Sequence, residues 1–260
     1  MSATVNTVQL NEMVRVIRQV FRTPSDDTWL KPAVPAGHRV LYHRVAVING
    51  GRRDSGGSTN SIVGGIGGLG GGWQERYYSD DQLPANVAVH IGRGADYQGT
   101  GGASSYPETV STFGSFITGV NGSNLVLDLD GIARSSPNAP GAGGDGGGAL
   151  KSGSTNEIAT SFGRRGQSSA LASGGDVAPY IDGYRGQDAP AEDFNFSGGG
   201  GGGGGSGSAY TTISYSGGDG GNPGGGAGGT GGTASYNNPA PAHIGVPGNG
   251  AICVWSYYTT

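Results

Sequence analysis

Eight consecutive glycines, Gly198 to Gly205, constrain this chain more than any other feature, because a segment with no side chains has no core to build. Glycine loses more backbone entropy on folding than any other residue and buries no apolar surface in return. The tract is not isolated: Gly64–Gly72, Gly141–Gly148 and Gly217–Gly232 are also glycine-rich, and glycine makes up 57 of 260 residues, against about 7% in ordinary proteins. None of these tracts keeps a strict Gly-X-Y period with proline, which disfavours a collagen triple helix. Two readings remain. The tracts are flexible linkers, or they are extended strands of polyproline-II type that pack side by side through backbone hydrogen bonds. They alternate with short strands that could not fold alone, and this favours the second reading.

The strand candidates are His38–Ile48 (HRVLYHRVAVI), closed by a turn signal at Asn49, Gly50 and Gly51, then Asn86–Ile91, Thr112–Gly119, Asn124–Leu129, Tyr210–Tyr215 and Ala251–Tyr258. Trp29–Pro35 reads as an extended lead-in, and Gly163–Phe196 as a long polar loop. Near the N-terminus Leu10, Met13, Val14, Ile17, Val20 and Phe21 recur at spacings of three and four, which predicts an amphipathic helix, with Asn6 or Thr7 as N-cap and Pro24 as stop. A lone helix of that length is marginal in water, so its stripe is expected to be an oligomer or docking interface, or to pack on the glycine-rich body.

The expected architecture is mainly β: a short N-terminal helix, then a glycine-rich, β-sandwich-like domain with polyglycine-II packing, as a trimer. Residues 1–27 form the attachment segment, 28–135 a β-rich domain, and 136–260 a tract region with a C-terminal strand packed on that domain.

Chemistry is hard to find. A net charge of −4 and a pI near 5.5 supply no basic footprint, so nucleic acid is not an expected partner. No run approaches the roughly 20 apolar residues of a membrane span, and no signal peptide opens the chain. Cys253, the single cysteine, reads as a small buried hydrophobe. His38, His43, His90 and His243 show no zinc spacing, and Asp128-Leu129-Asp130-Gly131 lacks the later ligands of a calcium loop and reads as a strand end with a turn. GxGxxG-like strings arise here from composition, and Ser104, Ser105, Ser168 and Ser169 lack a nucleophile elbow. No catalytic residue, metal site or cofactor is expected. Tyrosines on glycine and serine loops suit binding surfaces, because a ring gives large contact area at small entropic cost. Tyr180, Tyr184, Tyr210 and Tyr236 are the candidates for such a binding surface.

The pieces TWLKPAVPAGHRVLYHRVAVINGG, GLGGGW, LPANVAVHIGRGADYQGTGGASS, STFGSFITGVNG and GVPGNGAICVWSYYTT, in this order, resemble the glycine-rich minor tail proteins of actinobacteriophages. More distantly, the chain is similar to glycine-rich adhesins at phage fibre tips. The resemblance covers Thr28 to the C-terminus. It implies a virion component near the tail tip, often trimeric, made in the host cytoplasm and released by lysis. Its partners would be other tail proteins and a cell-surface glycan or glycolipid. The Trp255-Ser256-Tyr257-Tyr258 ending departs from the family's plain aliphatic strand. The alternatives are a purely architectural subunit without receptor binding, or an envelope-degrading enzyme using a carboxylate pair such as Asp128 and Asp130.

Overall fold

The computed structural model describes residues 14–53, 66–94, 109–120, 124–135, 138–142, 149–151, 158–160, 163–177, 182–190, 197–205, 215–231 and 245–259. Its strands are β1 (Val14–Phe21), β2 (Asp26–Leu30), β3 (Val40–Ile48), β4 (Trp73–Tyr78), β5 (Asn86–His90), β6 (Thr112–Phe113), β7 (Ile117–Thr118), β8 (Asn124–Leu127), β9 (Ala133–Arg134), β10 (Ala149–Lys151), β11 (Ile158–Thr160) and β12 (Ala251–Thr259). Sheet A has the order β1-β12-β3-β4-β8-β9, sheet B the order β2-β5-β6-β7, and β10 pairs with β11. All pairings are antiparallel except β4 with β8. Among the described residues the one helical element is the 3-10 turn Asp80–Gln82.

The expected N-terminal helix is not there. From Val14 onward the segment is β1, laid against β12 with Val14 opposite Thr259 and Phe21 opposite Ile252; Leu10 and Met13 lie outside the described residues. The β-branched Val14, Val16, Ile17 and Val20 lose side-chain freedom in a helix and suit a pleated surface. A full-length β12 ladder then supplies what an isolated helix lacks. Strand alternation splits the supposed stripe. Phe21 packs on the core between the sheets, and Ile17 shares its face, whereas Val14 and Val20 stay exposed on the other face.

Alternation also builds the core. Val45, Val47, Ile252 and Val254 of sheet A meet Trp29, Val87, Val89, Phe113 and Ile117 of sheet B, with Leu83 and Ile91 completing one cluster. Each such buried side chain contributes about 1.5–3 kcal/mol. On the opposite face of sheet A a second cluster gathers Ala46, Ile48, Trp73, Ala251, Cys253 and Trp255.

The glycine tracts are packed. β3 does not turn at Asn49; it runs on as an extended strand, residues 49–53. Residues 66–72 likewise lead into β4, and residues 245–250 into β12. The joint is a buried polar node in which Ser111 donates its hydroxyl to the Ile48 carbonyl and its N–H to Asn49 Oδ1. Beyond it, the tract 198–205 is surrounded. Its N–H groups donate in turn to Asn138, Pro223, Gln187, Gln167, Gly226, Tyr184, Arg164 and Gly229. Partners therefore recur every third residue, the period of a polyproline-II-type strand. Gly141, Gly175, Gly218 and Gly221 donate back to it. Its neighbours form a closed ring of segments 138–142, 163–169, 173–177, 182–190, 215–222 and 223–231, each bonded to the next. Segment 223–231 is itself ringed by 198–205, 215–222, 245–250, 49–53, 66–72 and 138–142.

Only glycine fits there. A Cβ on Gly202 would lie 1.9 Å from the Gly218 oxygen, on Gly199 2.2 Å from the Gly221 oxygen, and on Gly228 2.0 Å from the Gly203 oxygen. The described parts of 163–190, expected as a polar loop, are lattice strands whose Gly163, Gly166, Gly174, Gly175, Gly183 and Gly186 face inward. Most of the remaining side chains there are exposed, whereas Ala172 and Ala189 are buried. Side chains at the lattice rim accept N–H groups of the adjacent strand: Asp182 from Ser216, Asp188 from Asn222, Asp219 from Val246, Asn222 from Asn249 and Asn249 from Gly94. Backbone groups at the rim are thus satisfied without another strand.

Candidate binding surfaces

The lattice has two distinct ends. Gly199 bonds to Pro223 beside Gly224, whose Cβ would meet the Asn49 oxygen at 2.7 Å, so the Gly198 end abuts sheet A. At the far end Gly203, Gly204 and Gly205 bond to Tyr184, Arg164 and Gly229, and Gly231 to Tyr215. Tyr184 is 52% exposed there, and Arg164, Arg165, Asp176 and Asp182 are exposed around it. Tyr180, Tyr210 and Tyr236 lie outside the described residues. The residues that flank their segments, Val177 and Asp182, Gly205 and Tyr215, and Gly231 and Gly245, belong to this far end or adjoin it. Of the four candidates, Tyr184 is the one among the described residues, and it stands at this end.

At the opposite end, sheet A presents a row of aromatic side chains. Tyr257 stacks on Tyr42 with centroids 4.4 Å apart, and Tyr42 meets Tyr77 at 5.8 Å. Beneath them Arg44 makes two hydrogen bonds to Glu75, at 2.7 and 2.9 Å, and lies over the Trp255 ring at 4.4 Å. Burial alone would lower the Arg44 pKa, but the hydrogen bonds and charge of Glu75 outweigh it and raise it. Burial, followed by the charge of Glu75, pushes Tyr77 up to about 12. The exposed Val14 and Val20 extend this face along β1. Sequence reasoning missed the row because Tyr42, Tyr77 and Tyr257 meet only through the β12-β3-β4 register.

No family model matches this sequence, and no curated protein matches it.

One constellation has the composition of a hydrolytic triad. His43 Nδ1 is 2.8 Å from Ser256 Oγ, and its Nε2 is 3.0 Å from Asp80 Oδ1, which Lys31 also approaches at 3.1 Å. His43 and Ser256 are buried, and Trp29 closes edge-on over the imidazole at 5.4 Å. No electrophile reaches a hydroxyl so placed; the group ties β3 to β12 and to the 3-10 turn. Burial lowers the His43 pKa more than Asp80 raises it. Burial would raise the Asp80 pKa, but hydrogen bonds from His43 and Lys31 hold it below the usual carboxylate range.

Asp128 and Asp130 form no free carboxylate pair. Asp128 Oδ1 accepts the N–H groups of Asp130 and Ile132, and its Oδ2 meets Arg134 at 3.2 Å, closing a turn with Gly131 at φ +75°. Among the described residues no three His, Cys, Asp or Glu side chains group as metal ligands, and no helix is long and apolar enough to cross a membrane. Cys253, buried on sheet A, receives a hydrogen bond from Arg18, yet burial pushes its thiol up to about 12.

Proposed function

We propose that the chain is a structural tail protein of a bacteriophage, held in the virion by its sheet end and presenting the far end of the glycine lattice to the host surface. One observation carries the reading: Tyr184 is exposed at the far end of the lattice, with the exposed Arg164, Asp176 and Asp182 around it. A body stabilised by backbone hydrogen bonds on every side suits a part that must stay rigid outside the cell. Variable loops on a rigid scaffold are a common site of recognition. The resemblance of the ordered sequence pieces to glycine-rich minor tail proteins supports the same assignment.

In this reading the two sheets form a β-sandwich-like base, and the tracts a polyglycine-II body. Three copies assemble through the sheet end, where the tyrosine row supplies interface-prone side chains and the exposed Val14 and Val20 add apolar surface. Val14 and Val20 therefore keep an assembly role, whereas Phe21 and Ile17 are turned toward the inner core. No catalytic step is assigned. The ligand class is a cell-surface glycan or glycolipid.

The test is binding of the purified full chain to a panel of bacterial strains, actinobacteria included. Wild type should bind some strains, and the combined Tyr180→Ser, Tyr184→Ser, Tyr210→Ser and Tyr236→Ser variant should lose that binding. If no strain is bound while the chain still assembles into tails, the receptor role falls and the purely architectural reading replaces it.

A further inference from the structure

We infer that the flank of the lattice beside its far end holds a subsite for an extended, neutral, β-linked glycan lying along segment 173–177. The inference rests on the recognition role proposed above. Segment 173–177 lies on the outside of the lattice between 163–169 and 182–190, with Gly166 bonded to Gly175 and Tyr184 to Asp176. Its exposed side chains, Ser173 and Asp176, stand one lattice turn apart. Gln187 Oε1 accepts the Ser173 N–H from one side, and Ser168 Oγ accepts the Gly174 N–H from the other. By the three-residue period Tyr184 stands in the row of Gln187, and Arg165 in the row of Ser168. The result is a shallow trough with a small polar floor. Tyr184, Asp176 and Arg165 share one level, and Gln187, Ser173 and Ser168 the next.

Two features of the trough fit a sugar chain. Arg165 and Asp176 stand on adjacent strands at one level, where opposite charges ordinarily pair. Yet among the described residues the Asp176 carboxylate accepts only the N–H of its chain neighbour Val177, and Arg165 has no hydrogen-bond or ion-pair partner. A carboxylate and a guanidinium not paired with each other, near an exposed tyrosine, are suited to vicinal hydroxyls and to the C–H face of a pyranose. The second feature is spacing. A polyproline-II turn advances about 9.3 Å, comparable to one disaccharide of an extended β-1,4-linked chain, in which every second ring presents the same face. An α-1,4-linked chain coils and cannot follow the trough.

The test is saturation-transfer NMR on the full chain with cellotetraose, maltotetraose as the coiled counterpart, and the variants Tyr184→Ala and Arg165→Gln. Both residues are exposed, so melting temperatures should be unchanged. Transfer to cellotetraose should exceed that to maltotetraose and fall at least fivefold in either variant. Absent transfer to cellotetraose, equal transfer to both sugars, or transfer indifferent to both substitutions overturns the subsite. Binding of the same variants to bacterial strains separates the two claims. If wild type binds no strain, the recognition role fails. If wild type and both variants bind alike, that role stands and the flank subsite falls.

Discussion

Replacing Gly202 by alanine tests the lattice within its central tract. The new Cβ would lie 1.9 Å from the Gly218 oxygen and 2.5 Å from its carbon. To restore ordinary van der Waals contact, segment 215–222 must retreat by about 1.5 Å. That motion takes the bonds Gly218 N–H to Gly203, at 2.8 Å, and Gly221 N–H to Gly200, at 2.7 Å, well past the hydrogen-bonding limit of about 3.2 Å. Segment 245–250, bonded to the far side of 215–222, blocks the retreat. Each lost bond strands a buried donor and acceptor at about 1–3 kcal/mol, so the substitution should cost roughly 2–6 kcal/mol. That is a large share of the 5–15 kcal/mol that holds an ordinary domain together. Urea unfolding followed by tryptophan fluorescence reads the loss. Gly131→Ala is the control, since nothing lies within 4 Å of its Cβ and only its φ of +75° is penalised, by about 1–2 kcal/mol. If Gly202→Ala destabilises the protein no more than Gly131→Ala, the packed tract is refuted.

Other outcomes follow from the sheet end. His43 has a folded pKa below its unfolded value, so the unfolded chain takes up the proton first and stability is lost as pH falls below about 6.5. His43→Gln should flatten the unfolding free energy between pH 7 and 5, and an unchanged slope would contradict the assignment. Glu75→Gln leaves the Arg44 guanidinium half of a broken pair and should cost about 3 kcal/mol in urea unfolding; a neutral result would mean the pair is not desolvated. Cys253, buried and with its thiol pushed up to about 12, should resist iodoacetamide at pH 8 until the protein unfolds, and rapid labelling of the native chain would place it elsewhere.

Much of the β-rich base was legible in the sequence. β3, β5 and β8 fall within the segments expected as strands and β12 runs one residue beyond its own, because alternation with β-branched and aromatic residues marks them directly, whereas the single strand expected over Thr112–Gly119 is the β6–β7 hairpin. The N-terminal segment misled, since Val14, Ile17, Val20 and Phe21 satisfy a helical period while the competing partner, β12, lies more than two hundred residues away. Asn49 to Gly51 carry turn chemistry but continue straight, for the neighbouring strands they meet are also distant in sequence. The lattice did leave a local signal, a three-residue period. GRRGQS from Gly163 and GYRGQD from Gly183 keep one glycine in three, GGDGGN from Gly217 keeps two, and Gly198 to Gly205 keeps all. The outer strands with one glycine in three have lattice neighbours on one side, and the all-glycine tract has six neighbours. Tyr184 was legible as an exposed ring among glycines. Asp176 and Arg165 were not, because only the register of three strands sets them beside it.

Amide hydrogen exchange across Gly198 to Gly205 tests the central claim most directly. These N–H groups should exchange as slowly as those of β12, through global unfolding, because each is bonded and enclosed. Exchange at the rate of an unstructured glycine peptide, with β12 still protected, would mean that the tract is a linker and that the body has no lattice.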